Sequence, residues 1–155
     1  MAEYGIKKCF ITGLDEISLT DKEGVGTLRF EGNNVYKYVR YDSGTADLDI
    51  VPNDCLFYSD YAAGEVTADV TDSIGIGAGV SMATITATAY YFWIKIKGIS
   101  DIAVDVVAGA VGNALTAIGT NDKTLDVSAV VTDHVCAYLL DDTASAQQIL
   151  CDFPF

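Results

Sequence analysis

Residues 75–98 read GIGAGVSMATITATAYYFWIKIKG, and their last nine, Tyr90-Tyr91-Phe92-Trp93-Ile94-Lys95-Ile96-Lys97-Gly98, decide the fold class. Side chains of a strand alternate between two faces, so Tyr90, Phe92, Ile94 and Ile96 share one face and Tyr91, Trp93, Lys95 and Lys97 the other. Aromatic and β-branched residues suit a pleated surface, and Gly98 is expected to close the strand. The first face reads as core. The second carries two large aromatics followed by two lysines, which suits a surface half covered by a neighbour.

The residues just upstream invite other readings, and each fails. Gly75-Ile76-Gly77-Ala78-Gly79 lacks the Lys-Ser/Thr pair of a phosphate-binding loop, and strand signal follows it where a dinucleotide fold needs a helix. It reads instead as a strand over Ile74–Met82 whose missing side chains allow close backbone approach. The uncharged run from Ser73 to Ile94 is long enough to raise a membrane span. Its glycines, serines and threonines and its strand-like tail exclude a lipid-facing helix. Thr84–Ala89 either continues the strand or loops out ahead of the aromatic one.

Further out, Thr27–Glu31 and Val35–Tyr41 flank Gly32-Asn33-Asn34, residues that supply the positive φ of tight hairpin turns; the sequence leaves the register open. Asp42–Asp54 reads as a long surface loop, the kind that is often functional. Short strands are expected at Cys55–Tyr58, Glu65–Thr71, Ile102–Val107, Ala114–Ile118 and Thr124–Val127, with turns at Asp60–Gly64, Ala108–Asn113 and Thr120–Lys123. The close is His134–Leu140, the loop Asp141–Ala146, then Gln147–Phe153. If Leu140 pairs with Gln147, Cys136 faces Cys151, either as two buried thiols or as a disulfide. Residues 1–25 are broken by glycines and turn formers into an irregular arm, with at most a short strand around Lys8–Ile11. The remainder, 26–155, is a single β domain. No helical stripe exceeds two turns, so the fold class is all-β: a compact antiparallel β-sandwich or barrel, jelly-roll-like, with an irregular N-terminal arm.

Composition agrees. The chain has 155 residues, 14 glycines, 2 prolines and 50% hydrophobic residues, enough to bury a core without staples. A net charge of -13, from 22 acidic and 9 basic residues, repels phosphate backbones and anionic lipid, so neither nucleic acid nor membrane is an expected partner. The same charge disfavours the row Tyr36, Tyr38 and Arg40 as a base-stacking platform. Cys9, Cys55, Cys136 and Cys151 show no zinc spacing, and the N-terminus lacks the apolar core of a signal peptide. These features imply a reducing, cytosol-like compartment with free thiols.

Catalytic chemistry finds no purchase. His134 is the only histidine and opens an apolar strand. A nucleophilic pair of Cys136 with His134 fails, because sequence-near residues of a strand face alternate sides or lie too far apart. Carboxylate pairs (Asp15 and Glu16, Asp47 and Asp49, Asp141 and Asp142) cluster in loops, none with the spacing of a calcium hand, and nothing selects a glycosidase pair. The expectation is a protein that is not an enzyme, with no metal and no cofactor.

A hairpin ending in YKYVRY, then Ala78-Gly79-Val80 and small residues, then Tyr91-Phe92-Trp93 with Gly98, resembles the small head-decoration, or cement, proteins of tailed bacteriophages. Gly109–Leu115 is similar to that family's small-residue turn. His134–Thr143 followed by Ala146–Asp152 resembles its closing hairpin, although His134 stands where a glycine is usual and Phe92 where the central glycine falls. The likeness runs from about residue 27 to 152. It implies a virion structural protein, assembled in the host cytoplasm, that binds the outer capsid surface as a homo-oligomer, often a trimer. There it would bridge neighbouring major capsid proteins and stabilise the shell, with many modest interfaces adding through multivalency. On the same resemblance, residues 1–25 are either a loose terminus or an arm laid on a neighbouring subunit. The expected interface is Tyr91, Trp93, Lys95 and Lys97, since Tyr and Trp are common anchors; alternatively Tyr91 and Trp93 pack under a loop of their own chain. The other function in view is a different virion β module, such as a head-fibre base, tail component or receptor-binding knob.

Overall fold

The structure, a computed structural model, describes residues 9–143 and 147–155. Residues 1–8 of the expected arm, including Lys8, and residues 144–146 of the last loop lie outside them. Ten strands form: β1 (Leu28–Glu31), β2 (Asn34–Tyr41), β3 (Cys55–Asp60), β4 (Glu65–Thr67), β5 (Gly77–Ser81), β6 (Tyr91–Asp101), β7 (Ala114–Thr116), β8 (Asp126–Val127), β9 (Val135–Asp141) and β10 (Gln148–Asp152). One 3-10 turn, Val70–Asp72, completes the regular structure of the described residues.

Five strands close on themselves. β2 pairs with β4, β4 with β3, β3 with β5, β5 with β6, and β6 returns to β2. The all-β expectation holds, and of its two architectures the barrel is realised. One contact departs from the antiparallel pattern: Arg40 and Tyr41 of β2 pair in parallel with Glu65 and Val66 of β4. Closure leaves the barrel strands without a free edge, which removes the hazard of edge-to-edge pairing.

β6 links the barrel to the rest. Its first half lies between β2 and β5; beyond that, Lys97 pairs with Val35 on one side and Asp152 of β10 on the other. β10, β9, β7 and β8 then extend the sheet in that order. Gly98 therefore does not end the strand, as its residue type suggests. It sits inside β6 with φ +105°, where a Cβ would stand 2.1 Å from Asn34 Oδ1, so the glycine marks close approach to the β1–β2 turn.

Period-2 alternation sorts β6 as its sequence requires. Phe92, Ile94 and Ile96 are fully buried inside the barrel, with Leu56, Val80 and Val39 among their cluster. Gly79 lets β5 lie against β6: a Cβ there would meet the Lys95 carbonyl oxygen at 2.7 Å. The extension folds over the same core, since Cys136 and Phe153 both crowd the position a Cβ would take on Gly77.

Several open points of the sequence reading are decided, and some expectations are corrected. The first hairpin turns on two residues, Gly32 and Asn33, with Glu31 opposite Asn34 and Gly32 at φ +58°. The strand begun at Glu65 stops at Thr67, because Asp69 caps the 3-10 turn by accepting from the Thr71 amide. Residues 102–107 form no strand. There Gln147 binds the Val106 amide, and Ala103 donates to Asn53, so the backbone is satisfied outside the sheet. Thr84–Ala89 loops out and meets the long 42–54 loop at the Ile50–Ile85 bridge. At the C-terminal hairpin, Cys151 faces Ala137 and not Cys136: the pairing opens with Gln148 opposite Asp141, and the bulge between Gln148 and Ile149 recovers only one of the two residues of offset. All four cysteines are free.

Candidate interaction face

The second face of β6 is where an interface was expected, and it is mostly covered by the chain itself. Trp93 is fully buried, in a small cluster with Tyr36 and Tyr38 from β2. Phe10, Leu14, Met82 and Tyr91 pack around these three. Phe10 meets Trp93 edge-on, with centroids 5.5 Å apart and planes at 83°. Tyr38 lies 5.0 Å from Trp93 and stacks on Tyr91 at 6.3 Å. Edge-to-face and offset pairs of this kind add to the energy of simple area burial.

Residues 9–25 are thus a strap laid over the aromatic face. They form no strand at 9–11, yet they are firmly held. Trp93 donates its indole N–H to Thr12 Oγ1 at 2.8 Å, and the Thr12 hydroxyl donates to Glu23 Oε1 at 2.7 Å. The same carboxylate oxygen accepts the Ile11 and Thr12 amides, both at 2.8 Å. Arg29 donates to the Thr12 carbonyl and sits 5.1 Å from the Phe10 ring centroid and 5.8 Å from that of Trp93. Further along, Ser18 exchanges both backbone hydrogen bonds with Tyr91. A short irregular segment with so many partners needs no strand to be ordered.

The four residues singled out from sequence therefore have different fates. Trp93 presents no surface, and Tyr91 is half-buried under the strap. The reading in which they pack beneath their own chain is the one the geometry gives. Tyr36 and Tyr38 share this burial, so neither ring is open to stack on a base; burial also pushes the Tyr38 phenol up to about 12. Lys95 and Lys97 remain partly exposed, but both are engaged. Lys95 Nζ donates to the Ile99 carbonyl, and Lys97 pairs with Asp152 at 2.5 Å while lying 4.8 Å from the Phe155 ring centroid.

Two features escaped sequence reasoning. Lys37, in the middle of YKYVRY, points into the protein and is only 7% exposed. Its ammonium donates to Tyr58 Oη at 2.8 Å and lies about as close to the Tyr61 ring as to the Tyr58 ring, at 5.0 and 5.2 Å. Burial lowers its pKa. Alternation along β2 puts Lys37 on the core face, a signal outweighed by the habit of placing lysines in solvent. The second feature is that Cys55 joins Cys136 and Cys151, the two thiols whose burial the sequence does offer. Cys55, Cys136 and Cys151 lie close enough to influence one another, and burial pushes each thiol up, to about 12 for Cys136 and Cys151.

An open cleft of about 210 Å³ is lined by Val70, Ser73, Gly75, Ala117, Ile118 and Gly119, none of them titratable. His134 stands exposed at the start of β9. Among the described residues no three His, Cys, Asp or Glu side chains converge to hold a metal ion. No helix among them is long and apolar enough to cross a membrane. No protein-family model matches the chain, and searches of curated proteins and of solved structures found no match.

Proposed function

We propose that this chain is a capsid decoration protein, an oligomeric virion component that binds the outer face of a phage head and ties neighbouring major capsid proteins together. The observation that carries the reading is the meeting of the two stretches with the family texture. Ala78-Gly79-Val80 lies in β5 and Tyr91–Gly98 in β6, and they are paired neighbours, Val80 opposite Lys95 and Ser81 opposite Ile94. The glycine and the long strand belong to one packing arrangement, which gives the likeness a structural sense.

The physical properties suit such a role. A closed barrel has no free strand edge in its wall, and among the described residues the sheet ends in the short strands β1 and β8, so many copies at high local concentration offer little template for non-specific sheet growth. The charge of -13 keeps the subunits soluble and away from packaged nucleic acid. The strap ties the aromatic face shut, so attachment to a shell would use other surfaces than Trp93.

The test is direct. Heads purified from the parent virus should contain this chain at a stoichiometry set by the lattice, visible as density on the outer surface by cryo-electron microscopy. Heads lacking it should bind the purified chain and resist heat or chelation better once decorated. Absence of the chain from purified heads would sink the proposal; specific hits on a glycan array would move the reading to a receptor-binding module.

A further inference from the structure

The extension beside the barrel carries an apolar row that the rest of the described residues leave exposed. Register places Ile99 of β6 opposite Leu150 of β10, and Leu150 opposite Tyr138 of β9, so the three share one face across three strands. Leu140 is two residues beyond Tyr138 on that same face. Their exposures are 55%, 41%, 41% and 38%. Single exposed apolar residues are ordinary; four placed side by side by strand pairing form a patch. β10 and β9 each have partners on both sides, so a visitor here meets side chains and not a free backbone edge.

The surroundings of the row are acidic. Asp101 lies at one end beside Gln148, Asp141 and the exposed Asp142 follow Leu140, and Asp152 lies at the other end. The nearby cations are already used, Lys97 by Asp152 and Lys95 by the Ile99 carbonyl. A second copy would bring the same acids and a further charge of -13 to this face, and like charges at an interface are strongly disfavoured. We propose that the Ile99–Leu150–Tyr138–Leu140 row docks another protein through a surface that is apolar at its centre and basic at its rim. The inference does not depend on the capsid reading, because it needs only this face and its charge.

The experiment uses the full chain and a short synthetic peptide alternating leucine and lysine, with a leucine–glutamate peptide as control. Amide shifts in a heteronuclear NMR titration should map to Ile99, Tyr138, Leu140 and Leu150, and binding should weaken as salt rises. Leu150→Gln, which removes the apolar contact without touching charge, should weaken binding about tenfold, and Leu150→Lys more. Ile99→Ser on the neighbouring strand gives an independent variant should either Leu150 change disturb folding. The proposal is overturned if the lysine peptide does not bind, if its shifts map elsewhere, or if folded Leu150→Gln and Ile99→Ser bind it as well as the parent. It is equally overturned if sedimentation shows the chain dimerising through this face, with the dimer lost in Leu150→Lys.

Discussion

Trp93 and Thr12 are 81 residues apart in the chain and joined by one hydrogen bond, the indole N–H donating to the threonine hydroxyl at 2.8 Å. That contact turns the expected outward face of β6 into an interior. It also makes residues 9–14 part of the packed structure, with Glu23 as their anchor through two amides and one hydroxyl.

Glu23→Ala should loosen the strap without unfolding the barrel. It leaves the Ile11 and Thr12 amides without their carboxylate, a loss of about 2–3 kcal/mol if both stay buried and less where water reaches them. Trp93 is the only tryptophan, so fluorescence excited beyond the tyrosine absorption band reports this site alone. The expected result is a red-shifted emission and a lower urea midpoint, with far-ultraviolet circular dichroism unchanged. An emission maximum identical to the parent's would show that the strap stays in place without Glu23.

Two glycines should respond to alanine very differently. At Gly79 the new Cβ would meet the Lys95 carbonyl oxygen at 2.7 Å, and backbone on the paired strand cannot step aside as a side chain does. Overpacking of this kind costs about 1–3 kcal/mol, and a rigid obstacle puts Gly79→Ala toward the top of that range. At Gly26 nothing lies within 4 Å, and only the positive φ of +85° resists, at about 1 kcal/mol. Urea unfolding of the two variants gives the ranking; equal losses would contradict it.

Much of the fold was legible because strand pattern is local. Alternation in Tyr90–Lys97 gave the correct inner face, and Gly32-Asn33 gave the first hairpin. What sequence missed was set by distant partners. Nothing near Gly98 shows that Asn34 approaches it, so the glycine looked like a stop. The pairing of Gln148 with Asp141, and the bulge after Gln148 that makes up only part of that offset, are invisible in composition, and together they leave Cys151 opposite Ala137. From sequence the face carrying Tyr91 and Trp93 reads either as an interface or as packed beneath its own chain, and the contacts are those of the second. That the cover is residues 10–14 follows from the Thr12–Glu23–Trp93 linkage, which no spacing rule encodes.

Thiol reactivity offers a third check. Cys9 is exposed, whereas Cys55 and Cys136 are fully buried and Cys151 is 3% exposed. Native protein should therefore yield one fast-reacting thiol with a chromogenic disulfide reagent, and four after unfolding in denaturant. Removal of Cys9 should abolish the fast phase. Fewer than four thiols in the unfolded protein would mean that a disulfide forms, against the free cysteines of the structure.

Alkaline pH should destabilise the protein, and the buried thiols fix where. Burial holds Cys136 and Cys151 protonated up to about 12, against 9.0 for an ordinary thiol, and it shifts Cys55 in the same direction. A group whose folded pKa is raised keeps its proton in the native state while the unfolded chain has already lost it. The unfolded state then binds fewer protons, so stability is fully present below about pH 9 and falls as pH rises from there toward about 12. Each such group contributes a slope of about 1.4 kcal/mol per pH unit in that window, so two thiols together give nearly 3. Tyr38, raised to about 12 from 10.0, adds to the fall over the upper part of the window. Urea unfolding at a series of pH values should show a plateau near neutrality followed by this decline. A Cys136→Val, Cys151→Val double variant that stays folded should lose most of the slope between about pH 9 and 10, where tyrosine titration contributes little. A parent and variant with parallel pH profiles would show that the thiols are not shielded as their burial requires.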